Sequence, residues 1–195
     1  MHKARLEAFS DGVLAIIITI MVLDLHILHG QELAALRPLL PVFFCYVLSF
    51  VYVGIYWSNH HHMLHAAKTV TGGVLWANLH LLFWLSLLPF VTGWMGENDF
   101  ASTPTALYGV VLLMAGVAYV ILEQALIAVE GNESLLAKAM GKDRKGKLSV
   151  VFYALAIPLA FKNRWLAQAI FVLVSLVWLV PDRRIEKLFG PEKRD

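Results

Sequence analysis

Acidic and hydroxyl side chains interrupt the first apolar stretch of the sequence. Ser10 and Asp11 precede the twelve residues GVLAIIITIMVL, which include Thr19, and Asp24 follows them. An acidic side chain at the middle of a bilayer costs about 2.5–3.5 kcal/mol, so such residues normally face protein or water. Twelve helical residues cover only about 18 Å, which is less than a bilayer. These residue types therefore predict a polar site that faces water or a neighbouring helix.

Large aliphatic residues form a stripe between the two acidic residues. Ile16, Ile20, Leu23 and Ile27 follow a spacing of four, three and four, which places them along one narrow face of a helix. Thr19 borders that stripe, about 60° from Ile16. The spacing alone favours ordinary helix packing, and the alternative is a seam that faces a partner.

Polar and aromatic side chains cluster at the end of the second apolar stretch, which closes with Trp57, Ser58, Asn59, His60, His61 and His62. If both stretches cross a membrane as helices, this end lies at the same depth as Ser10 and Asp11. A hydrogen-bonded network would satisfy a carboxylate that is otherwise costly to bury. We predict that the network contains Ser10, Asp11 and either Trp57 or one histidine, in the order His61, His60, His62.

A metal site is the alternative chemistry for the histidines. His61 and His65 are spaced i, i+4, and His62 and His65 are spaced i, i+3, so either pair could converge on one ion. The pattern lacks the acidic or additional histidine ligands of a catalytic site, which favours a solvated helix end without metal. In the third apolar stretch, Asn78 and His80 are predicted to be interhelical hydrogen-bonding partners rather than ligands.

The composition indicates a membrane protein. Hydrophobic residues make up 59% of the 195 residues and charged residues 15%, against about 45–50% and 25% in soluble domains. A soluble enzyme is therefore excluded. The net charge of +2 is too small to indicate a nucleic-acid partner. Cys45 is the single cysteine, so a disulfide framework or a thiolate metal site is excluded.

Six apolar stretches predict six transmembrane helices within a single domain, over residues 8–28, 39–59, 75–94, 106–126, 148–161 and 165–180. The fifth is the least regular, because it is short and contains Pro158. If the N-terminus is cytoplasmic, 13 of the 16 Lys and Arg residues fall on the cytoplasmic side. Both termini are therefore predicted to be cytoplasmic.

The start of the first stretch resembles a known family. Arg5, Phe9, Ser10 and Asp11 match the Arg-x-x-x-Phe-Ser-Asp signature of the transmembrane protein 175 family, which comprises endolysosomal potassium channels and their prokaryotic relatives. The resemblance implies a potassium-permeable cation channel, without enzymatic activity or a cofactor, in the plasma membrane of a prokaryote. It also implies that the first helix lines the pore and that no carbonyl filter loop is present.

Residue roles follow from the same resemblance. Ile16, Ile20 and Leu23 match the layers of a hydrophobic constriction, and Thr19 matches a threonine implicated in selecting potassium. Asp24 is a candidate for concentrating cations at the outer entrance. Because animal members have two six-span repeats and this chain has one, the resemblance implies a homo-oligomer, and a homotetramer above all. The alternatives are a secondary cation transporter and a membrane metalloprotein that uses the His60 to His65 cluster.

Overall fold

The computed structural model describes residues 3–26, 32–131, 134, 137 and 144–179. Seven α-helices and no strands occur in these residues, so the predicted all-α class is confirmed. The helices are α1 (Lys3–Leu23), α2 (Leu40–Ala66), α3 (Gly72–Ser86), α4 (Leu88–Glu97), α5 (Ser102–Glu130), α6 (Arg144–Lys162) and α7 (Arg164–Leu179). A short 3₁₀ helix, Leu33–Leu39, leads into α2.

Four helical stretches in the described part of the chain are long and apolar enough to cross a membrane: Lys3–Leu23, Leu33–Ala66, Gly72–Glu97 and Ser102–Glu130. They correspond to the first four predicted spans. The helix α7 is apolar but shorter, and α6 carries basic residues at both ends. Pro158 lies inside α6 without ending it, since the helix continues to Lys162.

Several predicted boundaries differ from the structure. The first helix ends at Leu23 rather than at residue 28, and residues 27 and 28 lie outside the described part, as does residue 180 at the end of the sixth span. The second helix continues to Ala66, so the histidines are helical. The third predicted span is two helices that meet at Leu87, because Pro89 has no N–H to donate to an upstream carbonyl.

The helix α5 is central and α1 is peripheral. The former packs against α3, α4, α6 and α7, whereas the main neighbours of α1 are α2, α3 and α4. Large side chains fill the centre of the subunit, among them Tyr52, Tyr108 and Phe171, which are at most 1% exposed. The interior of one subunit is therefore packed with side chains.

Hydrogen bonds from buried side chains of α2 connect it to its neighbours. The Ser49 hydroxyl lies 2.6 Å from the Thr92 hydroxyl of α4 and 3.0 Å from the Tyr108 hydroxyl of α5. The Tyr52 hydroxyl donates to the Phe171 carbonyl of α7 over 2.6 Å. Because a buried hydroxyl without a partner is costly, these bonds favour one arrangement of the four helices.

Candidate functional site

The first helix has one face packed inside its own subunit and an opposite face that the subunit leaves open. The packed face is formed by Leu6, Ser10, Leu14, Ile17 and Met21, all 3% exposed or less. On the open face, Ile16 is 60% exposed, Ile20 45% and Leu23 73%. Arg5 and Phe9 lie on the same open face. Ile27, the fourth residue of the predicted stripe, lies outside the described residues.

Thr19 is also exposed, and its hydroxyl bonds to its own helix. The Thr19 Oγ1 donates to the Ala15 carbonyl over 2.9 Å. This bond uses the only proton of the hydroxyl, whereas the oxygen keeps lone pairs that can accept a hydrogen bond or contact a cation. Thr19 therefore offers an oxygen, and not a proton, to whatever covers the open face.

A buried chain of hydrogen bonds begins on the packed face of α1 and connects three helices. The Asn78 Nδ2 of α3 donates to the Ser10 Oγ over 3.0 Å, and the Ser10 hydroxyl donates to the Leu6 carbonyl over 2.9 Å. The Asn78 Oδ1 lies 2.7 Å from the His60 Nε2 of α2. Because Oδ1 can only accept, the histidine carries its proton on Nε2. Ser10, Asn78 and His60 are at most 2% exposed.

Asp11 makes a separate and more exposed contact. The Trp57 indole Nε1 of α2 donates to the Asp11 Oδ1 over 3.0 Å. The His61 ring stacks between the rings of Trp57 and His65, with ring centroids 6.2 and 6.0 Å apart. The structure thus gives Asp11 a tryptophan partner, and it places His61 in an exposed aromatic row.

Two features of the network differ from the sequence prediction. The histidine in the buried network is His60, whereas the predicted order placed His61 first. His80 accepts a 3.0 Å hydrogen bond from Trp84 of its own helix, so this bond does not cross between helices. Asn78 bonds to both neighbouring helices, as predicted. The feature of the sequence that indicates this role is an amide side chain inside an apolar stretch.

The end of the site beyond the last residue of α1 contains acidic groups. Asp24 follows the last residue of α1, and its Oδ2 would lie 3.4 Å from a Cβ added to Gly93 of α4. Burial raises the pKa of Asp24 above its ordinary value, the nearby Glu97 raises it further, and His26 opposes the rise. Asp24 therefore loses its charge at a higher pH than a free aspartate does.

The metal alternative has no geometric support in the part of the chain that the structure describes. No three His, Cys, Asp or Glu side chains there are grouped so that they could hold one ion. The two rings at the i, i+4 spacing, His61 and His65, are stacked at an interplanar angle of 23°.

Comparisons with known proteins all lead to one family. Residues 5–89 match the model of the endosomal/lysosomal potassium channel TMEM175. A potassium channel of Chryseobacterium sp. is 54% identical over 187 residues, which are 96% of this chain and 97% of that one. The mouse endosomal/lysosomal proton channel TMEM175 is 38% identical over 118 residues, which are 53% of this chain and 23% of its own length.

The fold has a solved counterpart. The crystal structure of a lysosomal potassium-selective channel TMEM175 homolog from Chamaesiphon minutus superposes with a TM-score of 0.81. The superposition covers 93% of this chain and 97% of that chain, at 21% sequence identity. The helical arrangement described above is therefore that of a known membrane protein fold.

Proposed function

This chain belongs to the TMEM175 family, and we propose that it forms a potassium-permeable cation channel in a prokaryotic plasma membrane. The pore lies between copies of the chain, along an axis that the α1 helices surround. Four copies related by a four-fold axis are the assembly that we favour. Bacterial relatives named as potassium channels support the choice of potassium as the permeant ion, because one of them is similar to this chain over almost its whole length.

The observation that carries the proposal is the open face of α1. Its aliphatic residues Ile16, Ile20 and Leu23 are exposed, although the same helix packs tightly against its own subunit on the other side. The interior of the subunit is filled by large side chains, so a conduit between subunits is favoured over a conduit through one. The exposed oxygen of Thr19 lies beside the aliphatic stripe, where a passing cation would contact it.

A narrow ring of apolar side chains blocks all ions, and it can select among them only after it has widened. A narrow constriction of isoleucine and leucine side chains expels water, and an ion without its hydration shell pays a large desolvation penalty. Conduction therefore requires the rings to widen, which small rotations of α1 would achieve. Potassium holds its water less tightly than sodium, so an opening that removes part of the shell favours potassium.

The buried hydrogen bonds restrict this mechanism to small movements, because they limit how far α1 can rotate. Ser10 is bonded to Asn78, and Asn78 is bonded to His60, so the inner half of α1 is held to two other helices. The Asp11 bond to Trp57 is exposed and can be exchanged for water. We infer that gating leaves the buried bonds intact and changes the exposed one.

Single-channel recording of the purified protein in planar bilayers tests the proposal. Ile16→Asn makes the constriction polar and should raise the open probability or basal conductance at least several-fold, because water no longer leaves the ring. Val22→Asn is the matched control, since Val22 is exposed but lies about 120° from Ile16 around the helix. Thr19→Val should reduce the potassium preference in mixed potassium and sodium solutions, and Thr19→Ser should retain it.

Two results would contradict the proposal. Equal currents from Ile16→Asn, Val22→Asn and the unchanged protein would show that the open face of α1 does not line the conduit. Potassium flux that saturates at millimolar concentration, at rates far below those of channels, would identify a secondary transporter instead.

A further inference from the structure

A groove on the outer surface of the α6 and α7 pair has no role in the proposed pore. It has a volume of about 290 Å³, and its walls are Leu148, Ser149, Phe152, Ile170, Leu173, Val174 and Val177, with Lys145 at one end. The packing of α1 is against α2, α3 and α4, so the groove lies on helices away from the constriction. A ligand of the groove would therefore bind outside the conduction path.

The walls of the groove are apolar and open. Leu148, Leu173 and Val177 are more than half exposed, and Phe152 is 39% exposed. Such a surface is stable beside lipid and costly beside water. Its size is at the lower end of small-molecule sites, which begin at roughly 300 Å³.

One end of the groove is basic. Lys145 lines that end, at the start of α6. Lys147 is exposed but does not line the groove, because residues two positions apart in a helix point about 200° from each other. In the orientation predicted from the Lys and Arg distribution, this end lies at the cytoplasmic surface of the membrane. The basic end matches the headgroup of an anionic lipid at the membrane surface. The apolar trough matches its acyl chain in the bilayer.

Hydrogen bonds hold the groove in shape. The Trp178 indole Nε1 of α7 donates to the Ser149 Oγ of α6 over 2.9 Å, and the Ser149 hydroxyl donates to the Lys145 carbonyl over 2.8 Å. These bonds tie the end of α7 to the start of α6 beside the basic end. A ligand thus meets walls that are already positioned, which lowers the entropic cost of binding.

We propose that this groove binds an anionic phospholipid of the cytoplasmic leaflet. One acyl chain occupies the trough between α6 and α7, and Lys145 contacts the phosphate of the headgroup. Charge complementarity distinguishes this occupant from a second copy of the chain, because another α6 and α7 pair would bring like charges together. Each lysine near an anionic headgroup contributes about 1 kcal/mol, which is roughly fivefold in affinity.

Native mass spectrometry of the delipidated, purified protein tests the assignment with two probes, dioleoyl phosphatidylglycerol and dioleoyl phosphatidylcholine. Lys145→Gln should weaken phosphatidylglycerol binding about fivefold and phosphatidylcholine binding less, because phosphatidylglycerol carries a net negative charge and phosphatidylcholine does not. Lys162→Gln is the matched control, because it removes the same charge from the other end of α6.

A second pair of variants tests the trough itself. Leu173→Trp fills the groove and should reduce the binding of both lipids. Leu176→Trp is its control, since Leu176 is 52% exposed on the same helix but does not line the groove. Unchanged phosphatidylglycerol binding in the Lys145→Gln and Leu173→Trp variants would overturn the proposal. A shift in oligomeric state that only Leu173→Trp causes would also overturn it, because the occupant would then be a second copy.

Discussion

At the scale of single residues, the neighbours Ser10 and Asp11 do different things because consecutive residues of a helix point about 100° apart. Ser10 is fully buried and bonds to Asn78, whereas Asp11 is exposed and bonds to Trp57. A neutral hydroxyl occupies the costly buried position, and the carboxylate occupies the position that water can reach. The Phe-Ser-Asp signature therefore combines an anchor inside the subunit with a charge on its surface.

The buried network predicts a measurable loss of stability. Asn78→Ala removes the central amide and leaves the Ser10 hydroxyl and the His60 ring without their partner. Interhelical hydrogen bonds in membrane proteins contribute about 0.6 to 2 kcal/mol, so we expect a loss of about 1–2 kcal/mol. Thermal unfolding in detergent would measure it. Asn59→Ala is the control, because the Asn59 side chain donates to the Ile55 carbonyl of its own helix and not to another helix in the described part of the chain. A loss of stability equal to that of Asn78→Ala would contradict the role of the network.

The sequence predicts the members of this network better than its connections. Ser10, Asp11 and Trp57 follow from residue type and depth, and the structure brings each into a hydrogen bond between helices. The choice between His60 and His61 depends on the rotation of α2 about its axis, which tertiary packing sets. Periodicity could not decide it, because apolar residues surround α2 on several sides and leave no polar face to mark the rotation.

At the scale of helices, a break between α3 and α4 and a close approach of α4 to α2 shape one half of the subunit. The predicted third span is divided between α3 and α4, and Pro89 in the first turn of α4 is the local sequence signal of that division. The helix α4 also packs so closely against α2 that a Cβ added to Gly96 would lie 2.6 Å from the Val42 Cα. A backbone atom cannot move aside as a side chain can, so only glycine fits there.

Gly96→Ala should therefore destabilise the protein by separating α2 and α4. Overpacking of this kind costs about 1–3 kcal/mol, and thermal unfolding in detergent would measure the loss. Gly54→Ala is the matched control, because a Cβ added to Gly54 in α2 meets no atom within 4 Å. That variant should be neutral or gain up to about 1 kcal/mol from helix propensity. Equal stability of both variants would show that the close approach does not limit the packing.

At the scale of the whole molecule, the fold has a packed centre around α5 and a peripheral helix, α1, with an exposed apolar face. The central helix α5 contacts four other helices, whereas α1 packs on one side only and presents aliphatic residues on the other. The all-helical class and the stripe on α1 could be predicted from composition and periodicity. The open face could not, because a stripe of isoleucines has the same spacing whether it packs inside the subunit or between subunits.

Cross-linking between subunits tests whether the open faces meet. If the α1 helices surround one axis, the Leu23→Cys side chains of adjacent copies lie within reach of a short bismaleimide, since Leu23 is 73% exposed on the open face. We expect covalent dimers on denaturing gels, because each subunit has one reactive thiol and can be joined to only one neighbour. Val22→Cys is the control, because Val22 is also exposed but points about 100° away from Leu23. The native Cys45 is 1% exposed and should not react. Equal dimer yields from both variants, or monomers alone from Leu23→Cys, would place the α1 helices away from a common axis. The pore would then have to lie on another surface of the subunit.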